Sequence, residues 1–216
     1  MNKREEFILS ELKKLYPNPK TELKNWKSEF QFLVCIMLSA QTTDIQVNKV
    51  TDKLFEKYPD VSSFASAEVD DVKNLLKSLN FYKNKSKHII EMSKILIRDF
   101  NSKVPSSSEE LIKLPGVGKK TANVFLNELF QANEGIAVDT HVARVAQRLE
   151  LSGNPEPYKI SLDLEKLYLK KDWYLINSTF VLFGRYICKA KGPLCLDCPL
   201  NNVCKIGMCK KKNPQV

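Results

Sequence analysis

The stretch that most constrains the fold is residues 106–130, SSSEELIKLPGVGKKTANVFLNELF, which reads as helix, tight turn, helix. Ser106 with Glu109, and Ser107 with Glu110, each fit a Ser-x-x-Glu capping box, in which hydroxyl and carboxylate satisfy the amides left bare at a helix start. Pro115 and Gly116 stop that helix after Leu114. A second helix opens after Gly118, with Ala122, Phe125, Leu126 and Leu129 spaced to share one face. The glycines of Pro115-Gly116-Val117-Gly118 let backbone amides approach a partner closely, and Val117 sits between them as an apolar plug. Bare amides at a helix start attract an anion, and a nucleic acid phosphate is one such anion. A structural turn between two packed helices accounts equally well for the same residues.

Lys119 and Lys120 fall in the first turn of the second helix, where the positive end of the macrodipole disfavours a cation. An amine held against that field is either a nucleophile or a phosphate contact. The whole chain carries only seven glycines and many stretches of helical period, so the expected class is all-α. A formal charge of +9 fits a polyanionic partner. No apolar run reaches membrane-spanning length, and the N-terminal MNKREEF has no apolar signal core, so a cytoplasmic protein with no membrane partner is expected.

The first fifteen residues form an amphipathic pattern with Phe7, Ile8, Leu12 and Leu15 on its apolar side. Residues 29–39, EFQFLVCIMLS, are too short to span a bilayer and read as a buried core helix, with Cys35 a core residue. The loop Ala40-Gln41-Thr42-Thr43-Asp44 follows. Thr42, Thr43 or Asp44 can cap the next helix, with Asp44 the default, and Gln41 has no capping role, which leaves it as surface or as a probe reaching into a ligand. Helices are expected over 67–79 and 85–100, joined by Asn80-Phe81-Tyr82. Asn80 is the residue there that best tolerates a left-handed backbone. Phe81 belongs either to the core or to a protruding tip that can wedge between bases. Farther on, Asp139 is the natural N-cap of a helix that turns Val142, Val145, Ala146 and Leu149 inward and Arg144 and Arg148 outward. Further helices are expected up to Leu169 and over 173–186.

Cys188, Cys195, Cys198 and Cys204 form C-x6-C-x2-C-x5-C. So short a loop supplies no core, and four thiolates converging on metal would hold it together instead. The spacing favours an iron–sulfur cluster, although four cysteines also suit zinc. Cys209 lies outside the pattern and is expected to be free. Arg185, Lys189, Lys191, Lys205, Lys210, Lys211 and Lys212 outnumber the one nearby acid, Asp197, as a phosphate-facing surface would require.

Taken together, these segments resemble the endonuclease III family of DNA glycosylases. LPGVGKKTANVFLN resembles its helix-hairpin-helix, IAVDTHVARV its catalytic aspartate segment, LSAQTTD its glutamine loop and C-x6-C-x2-C-x5-C its [4Fe-4S] loop. The resemblance runs in order from about residue 20 to residue 204. It implies two α-helical lobes: a six-helix barrel over 22–133 that carries the hairpin, and a cluster lobe built from 1–21 and 134–216, with DNA across the cleft between them. It implies Lys120 as nucleophile and Asp139 as catalytic aspartate, and Cys188, Cys195, Cys198 and Cys204 as ligands of a [4Fe-4S] cluster. The implied DNA-facing residues are Gln41, Phe81, Gly116, Val117, Gly118, Lys119, His141 and Lys191. Gln41 would fill the gap left by a flipped nucleotide, and Phe81 would wedge the duplex.

The implied activity is a monomeric glycosylase and AP lyase acting on double-stranded DNA that contains damaged pyrimidines or abasic sites. A monofunctional adenine or mismatched-thymine glycosylase and a non-catalytic DNA-binding protein are the alternatives. Two departures stand out. The family's Gly-Leu-Tyr appears as Asn80-Phe81-Tyr82, and an extra residue lies near Gln131-Ala132-Asn133-Glu134.

Overall fold

The computed structural model describes residues 1–206, so Cys209 and Lys210, Lys211 and Lys212 lie outside the described residues. Every regular element among the described residues is helical, as expected. The chain divides into two compact units, Glu22–Phe130 and a second made of Met1–Thr21 with Gln131–Val216. No described helix is long and apolar enough to cross a membrane.

In the Glu22–Phe130 unit the organising element is helix α2, Glu29–Ser39, in which every residue from Phe30 to Leu38 is buried. An 11-residue segment this apolar has no solvent face to offer, so its neighbours surround it. They are α3 (Asp44–Lys57), α6 (Tyr82–Phe100) and α8 (Lys119–Phe130). Phe32 stacks on Phe125 of α8 with ring centroids 6.1 Å apart. Two short helices, α4 (Val61–Ala65) and α5 (Val69–Leu76), complete the packing on α6. The helix expected over 67–79 is α5, shortened at both ends, and α4 precedes it. Helix α4 was illegible in the sequence because five residues are too few to show a helical period. Asp60 caps α4 by accepting the Ser63 amide at 2.8 Å.

Thr43, and not Asp44, caps α3: its hydroxyl accepts the Gln46 amide, and Asp44 becomes the first helical residue, where a carboxylate still meets the positive end of the dipole. The helix before the hairpin, α7, is only Ser108–Leu111, capped by Ser107 in partnership with Glu110. It ends three residues earlier than the sequence pattern implies, and Ile112–Leu114 continue as turns.

The second unit packs α1 (Lys3–Leu15), α9 (Thr140–Arg148), α10 (Pro157–Leu167) and α11 (Trp173–Tyr186) around Ile8, Leu12, Val142, Val145, Phe180 and Phe183. The buried face of α1 is Glu5, Ile8, Leu9 and Leu12; Phe7 and Leu15 are exposed, which corrects the apolar side assigned from sequence. Helices α9 and α11 cross at Gly184. A Cβ there would sit 2.9 Å from the His141 Cβ and 3.2 Å from its carbonyl oxygen. Gly184→Ala is expected to cost about 1–3 kcal/mol, because overpacking outweighs the gain in helix propensity. A lowered denaturant midpoint with an unchanged slope would register this.

Candidate functional site

The hairpin is built against its own unit. Gly116 adopts φ +79°, and a Cβ at that position would meet the Met37 side chain at 2.7 Å and His88 at 3.0 Å. Only glycine combines that backbone with that approach. Val117 is buried and its amide donates to the Leu114 carbonyl at 3.1 Å. Around Gly118 the space is open, and Gly118, Lys119 and Lys120 are all exposed. The hairpin thus anchors one glycine and presents the other. Lys120 occupies the first turn of α8 and makes no hydrogen bond or ion pair among the described residues.

Two further exposed side chains stand on left-handed backbone in the same unit. Gln41 has φ 53° and Phe81 has φ 57°. Asn80 does not adopt the left-handed conformation expected of it; Phe81 does, and is 60% exposed. An exposed aromatic in a strained conformation marks a position that folding alone does not favour.

Two residues that sequence reasoning missed lie here. Lys85, on the first turn of α6, is buried and donates to the carbonyl oxygens of Leu38 and Ala40, both at 2.8 Å, and to the Thr42 hydroxyl at 3.0 Å. Burial pushes its ammonium down to about 8, against which the three oxygens favour the charged form. The Asn80 amide donates to the Gln41 carbonyl at 2.7 Å. No local pattern points to either, since both partners lie about 40 residues away.

In the second unit, Asp139 is the N-cap of α9. Its Oδ1 accepts the amides of His141 and Val142, each at 2.8 Å. Both bonds fall on one oxygen, so Oδ2 makes no hydrogen bond among the described residues. The segment leading to Asp139 is buried and held by side chains: Glu165 accepts the Ile136 amide at 3.0 Å, and the Asn177 amide donates to the Ala137 carbonyl. The His141 ring is fixed by Arg144, whose Nη2 lies 3.1 Å from Nδ1. Arginine only donates, so Nδ1 accepts and the ring proton sits on Nε2.

Arg144 and Arg148 do not face solvent as their helical positions suggested. Arg144 donates to the Gly184 carbonyl at 2.7 Å and the Cys188 carbonyl at 3.0 Å. Arg148 donates to the Lys189 carbonyl at 2.7 Å and approaches the Cys188 sulfur at 3.4 Å. The signal was their i, i+4 spacing, which puts two guanidinium groups on one stripe of α9. They tie the helix that Asp139 caps to the start of the cysteine loop.

Cys188, Cys195, Cys198 and Cys204 are half-buried, free of disulfides, and line one cavity with Leu149, Phe183 and Leu200. Burial, partly offset by the Leu200 amide, pushes the Cys198 thiol up to about 11, and the three other cysteines add to the rise. No three His, Cys, Asp or Glu among the described residues converge closely enough to hold a single ion. Cys35 is separate, fully buried and pushed up to about 12 by burial. Lys189 and Lys191 are exposed on the loop, and Lys205 pairs with Glu150 at 3.5 Å.

Residues 34–170 match the model of the HhH-GPD superfamily of base excision DNA repair proteins. The chain is 42% identical over 197 residues to endonuclease III of Synechocystis sp., covering 91% of this chain and 90% of that protein. It superposes on endonuclease III in a non-covalent DNA complex with a TM-score of 0.90 at 36% identity, covering 99% of this chain and 100% of that one. The match to endonuclease III in a trapped covalent intermediate with DNA has a TM-score of 0.89 at 36% identity, over 98% of this chain and 100% of that one.

Proposed function

The chain belongs to the endonuclease III family of base-excision-repair enzymes, and from that premise we propose that Lys120 is its nucleophile, Asp139 its catalytic carboxylate and the four cysteines the ligands of a [4Fe-4S] cluster. The family membership makes it a DNA glycosylase and AP lyase that acts on oxidised pyrimidines. Its substrate is duplex DNA carrying a damaged pyrimidine or an abasic site, and it works as a monomer in the cytoplasm.

The observation that carries the lysine assignment is its exposure, with no partner among the described residues, on the first turn of α8 directly after the hairpin. As the free amine it is the nucleophile that the reaction needs. The target base leaves the stack, because its sugar C1′ is shielded within the duplex. The Lys120 nitrogen, as the free amine, forms a bond to C1′, the bond from C1′ to the base breaks, and the base leaves with the proton that the nitrogen sheds. Opening of the sugar ring, with O4′ taking a proton from water, leaves a protonated imine between Lys120 and C1′. That imine draws electrons from C2′, a C2′ proton is lost, and the bond from C3′ to its phosphate oxygen breaks. The strand is cut 3′ to the lesion. The Asp139 carboxylate, with Oδ2 uncommitted, stabilises positive charge building on the sugar. Gln41, Phe81 and His141 face the opened duplex, and the hairpin residues Gly116, Val117, Gly118 and Lys119, with Lys191, contact phosphates.

The cysteine cavity fits the cluster. A multi-iron group is larger than one ion and suits four thiols that share a cavity wall without three of them converging on a point. When bound it supplies iron–thiolate bonds that close the loop bearing Lys189 and Lys191. Arg144 and Arg148 hold that loop to α9 through its carbonyls.

Asp139 offers the test, since its capping and its chemistry separate. Asp139→Asn retains a cap oxygen and is expected to melt within about 2 °C of the parent while losing base release by on the order of 100-fold or more. Asp139→Ala loses the cap as well, at about 1 kcal/mol. Equal activity in Asp139→Asn and the parent would leave Asp139 a cap alone.

A further inference from the structure

Gln41 and Phe81 lie 40 residues apart in the chain, and the structure joins them. Ala40 at φ −57°, ψ 115° and Gln41 at φ 53° form a turn closed by the Thr42 amide on the Ser39 carbonyl at 3.1 Å. These are the angles of a type II turn, and Gln41 holds the position at which glycine is favoured. Phe81 is left-handed too, and its carbonyl accepts the amides of Asn84 and Lys85, each at 3.1 Å. Each non-glycine residue in this conformation costs about 1 kcal/mol or more, so something must hold both turns.

The restraint comes from the start of α6. The Lys85 ammonium spends its three protons on Leu38, Ala40 and Thr42, which bracket Gln41 on both sides. Asn80, immediately before Phe81, donates to the carbonyl of Gln41 itself. A glycine at position 80 has no side chain to make that bond. His88, one turn after Lys85, packs against Gly116 of the hairpin, so the same helix also abuts the hairpin turn.

We propose that Lys85 and Asn80 are positioning residues that lock the Gln41 turn to the Phe81 turn, so that gap filler and wedge enter the duplex as one preorganised unit. The inference rests on the duplex-facing roles given above to Gln41 and Phe81. A loop already in its bound conformation avoids the ordering cost that a mobile one meets on binding. Neither Lys85 nor Asn80 needs to touch DNA.

The test is a double-mutant cycle read by single-turnover base release from a duplex containing one thymine glycol. Lys85→Met is expected to slow release by about 100-fold, the scale of a displacement of about 1 Å near the reacting centre. Asn80→Ala is expected to slow it by about 5- to 10-fold, the loss of one hydrogen bond. In both cases the double variant with Gln41→Ala should be no slower than Gln41→Ala alone, because the residues act through Gln41. Strand cleavage at a preformed abasic site in a single-stranded oligonucleotide needs no gap filled, and should stay within about 2-fold of the parent.

Additive losses in the cycle, or an equal loss on the single strand, would overturn the proposal and leave the assignment of Gln41 standing. A Gln41→Ala variant as fast as the parent would remove that assignment and the proposal with it. Should Lys85→Met fail to fold, exposed Asn80 decides the same cycle by itself.

Discussion

A Lys120→Ala variant is expected to bind an abasic duplex about as well as the parent while cutting it more slowly by on the order of 10⁴-fold or more, the scale seen when a nucleophile is deleted. Folding should be indifferent. The side chain is exposed and makes no hydrogen bond or ion pair among the described residues, so its removal leaves no buried group unsatisfied. Alanine is also the best helix former, and the stability change should lie within about 0.5 kcal/mol. Lys120→Arg should fail nearly as badly, because a guanidinium stays charged at any working pH and offers no free lone pair. Filter binding with an uncleavable abasic analogue, beside gel analysis of strand cleavage, separates the two quantities. Loss of binding in parallel with cleavage would make Lys120 a phosphate contact.

The second large effect concerns the cysteines. Cys198→Ala is expected to abolish the broad visible absorption of protein purified without oxygen, because one of the four thiolate ligands is gone. Metal binding and folding of such a loop are one process, with apparent binding free energies near 10 kcal/mol for comparable zinc sites. A loss of even about 3 kcal/mol from a chain of this size lowers the melting temperature by roughly 10 °C. Arg144 and Arg148 would then clasp carbonyls of a loop with no fixed path, so base release should fall as well. Cys35→Ala, altered at a core position away from the cavity, should keep its colour. A colourless parent protein carrying one zinc would defeat the cluster assignment.

What the sequence made legible was local. The span of α2 followed from the most apolar segment of the chain, and both ends of α2 and of α11 fell where expected. Asp139 and Ser107 were legible as caps because capping is a relation between residues two or three apart. The four cysteines were legible as one group because they are close in the chain. What stayed hidden depended on contacts between distant segments. Nothing beside Lys85 announces that carbonyls at 38 and 40 will receive its ammonium. Arg144 and Arg148 looked like a solvent face until the loop after Gly184 folded over them. Asn80 has the better intrinsic tolerance for a left-handed backbone, yet Phe81 takes it, since the turn into α6 requires its carbonyl to meet two amides. Propensity ranks residues one at a time, and here packing decided between neighbours.

The most direct measurement is borohydride trapping on a duplex containing a single thymine glycol, followed by peptide mapping of the product. Reduction converts the imine between protein and C1′ into a permanent bond, so the crosslinked residue is the nucleophile. A crosslink confined to Lys120 is the expected result, and it would establish lesion class, lyase chemistry and nucleophile together. Base release with no crosslink, revealed only by later alkaline cleavage of the strand, would contradict the assignment and leave a glycosylase that uses water in place of Lys120.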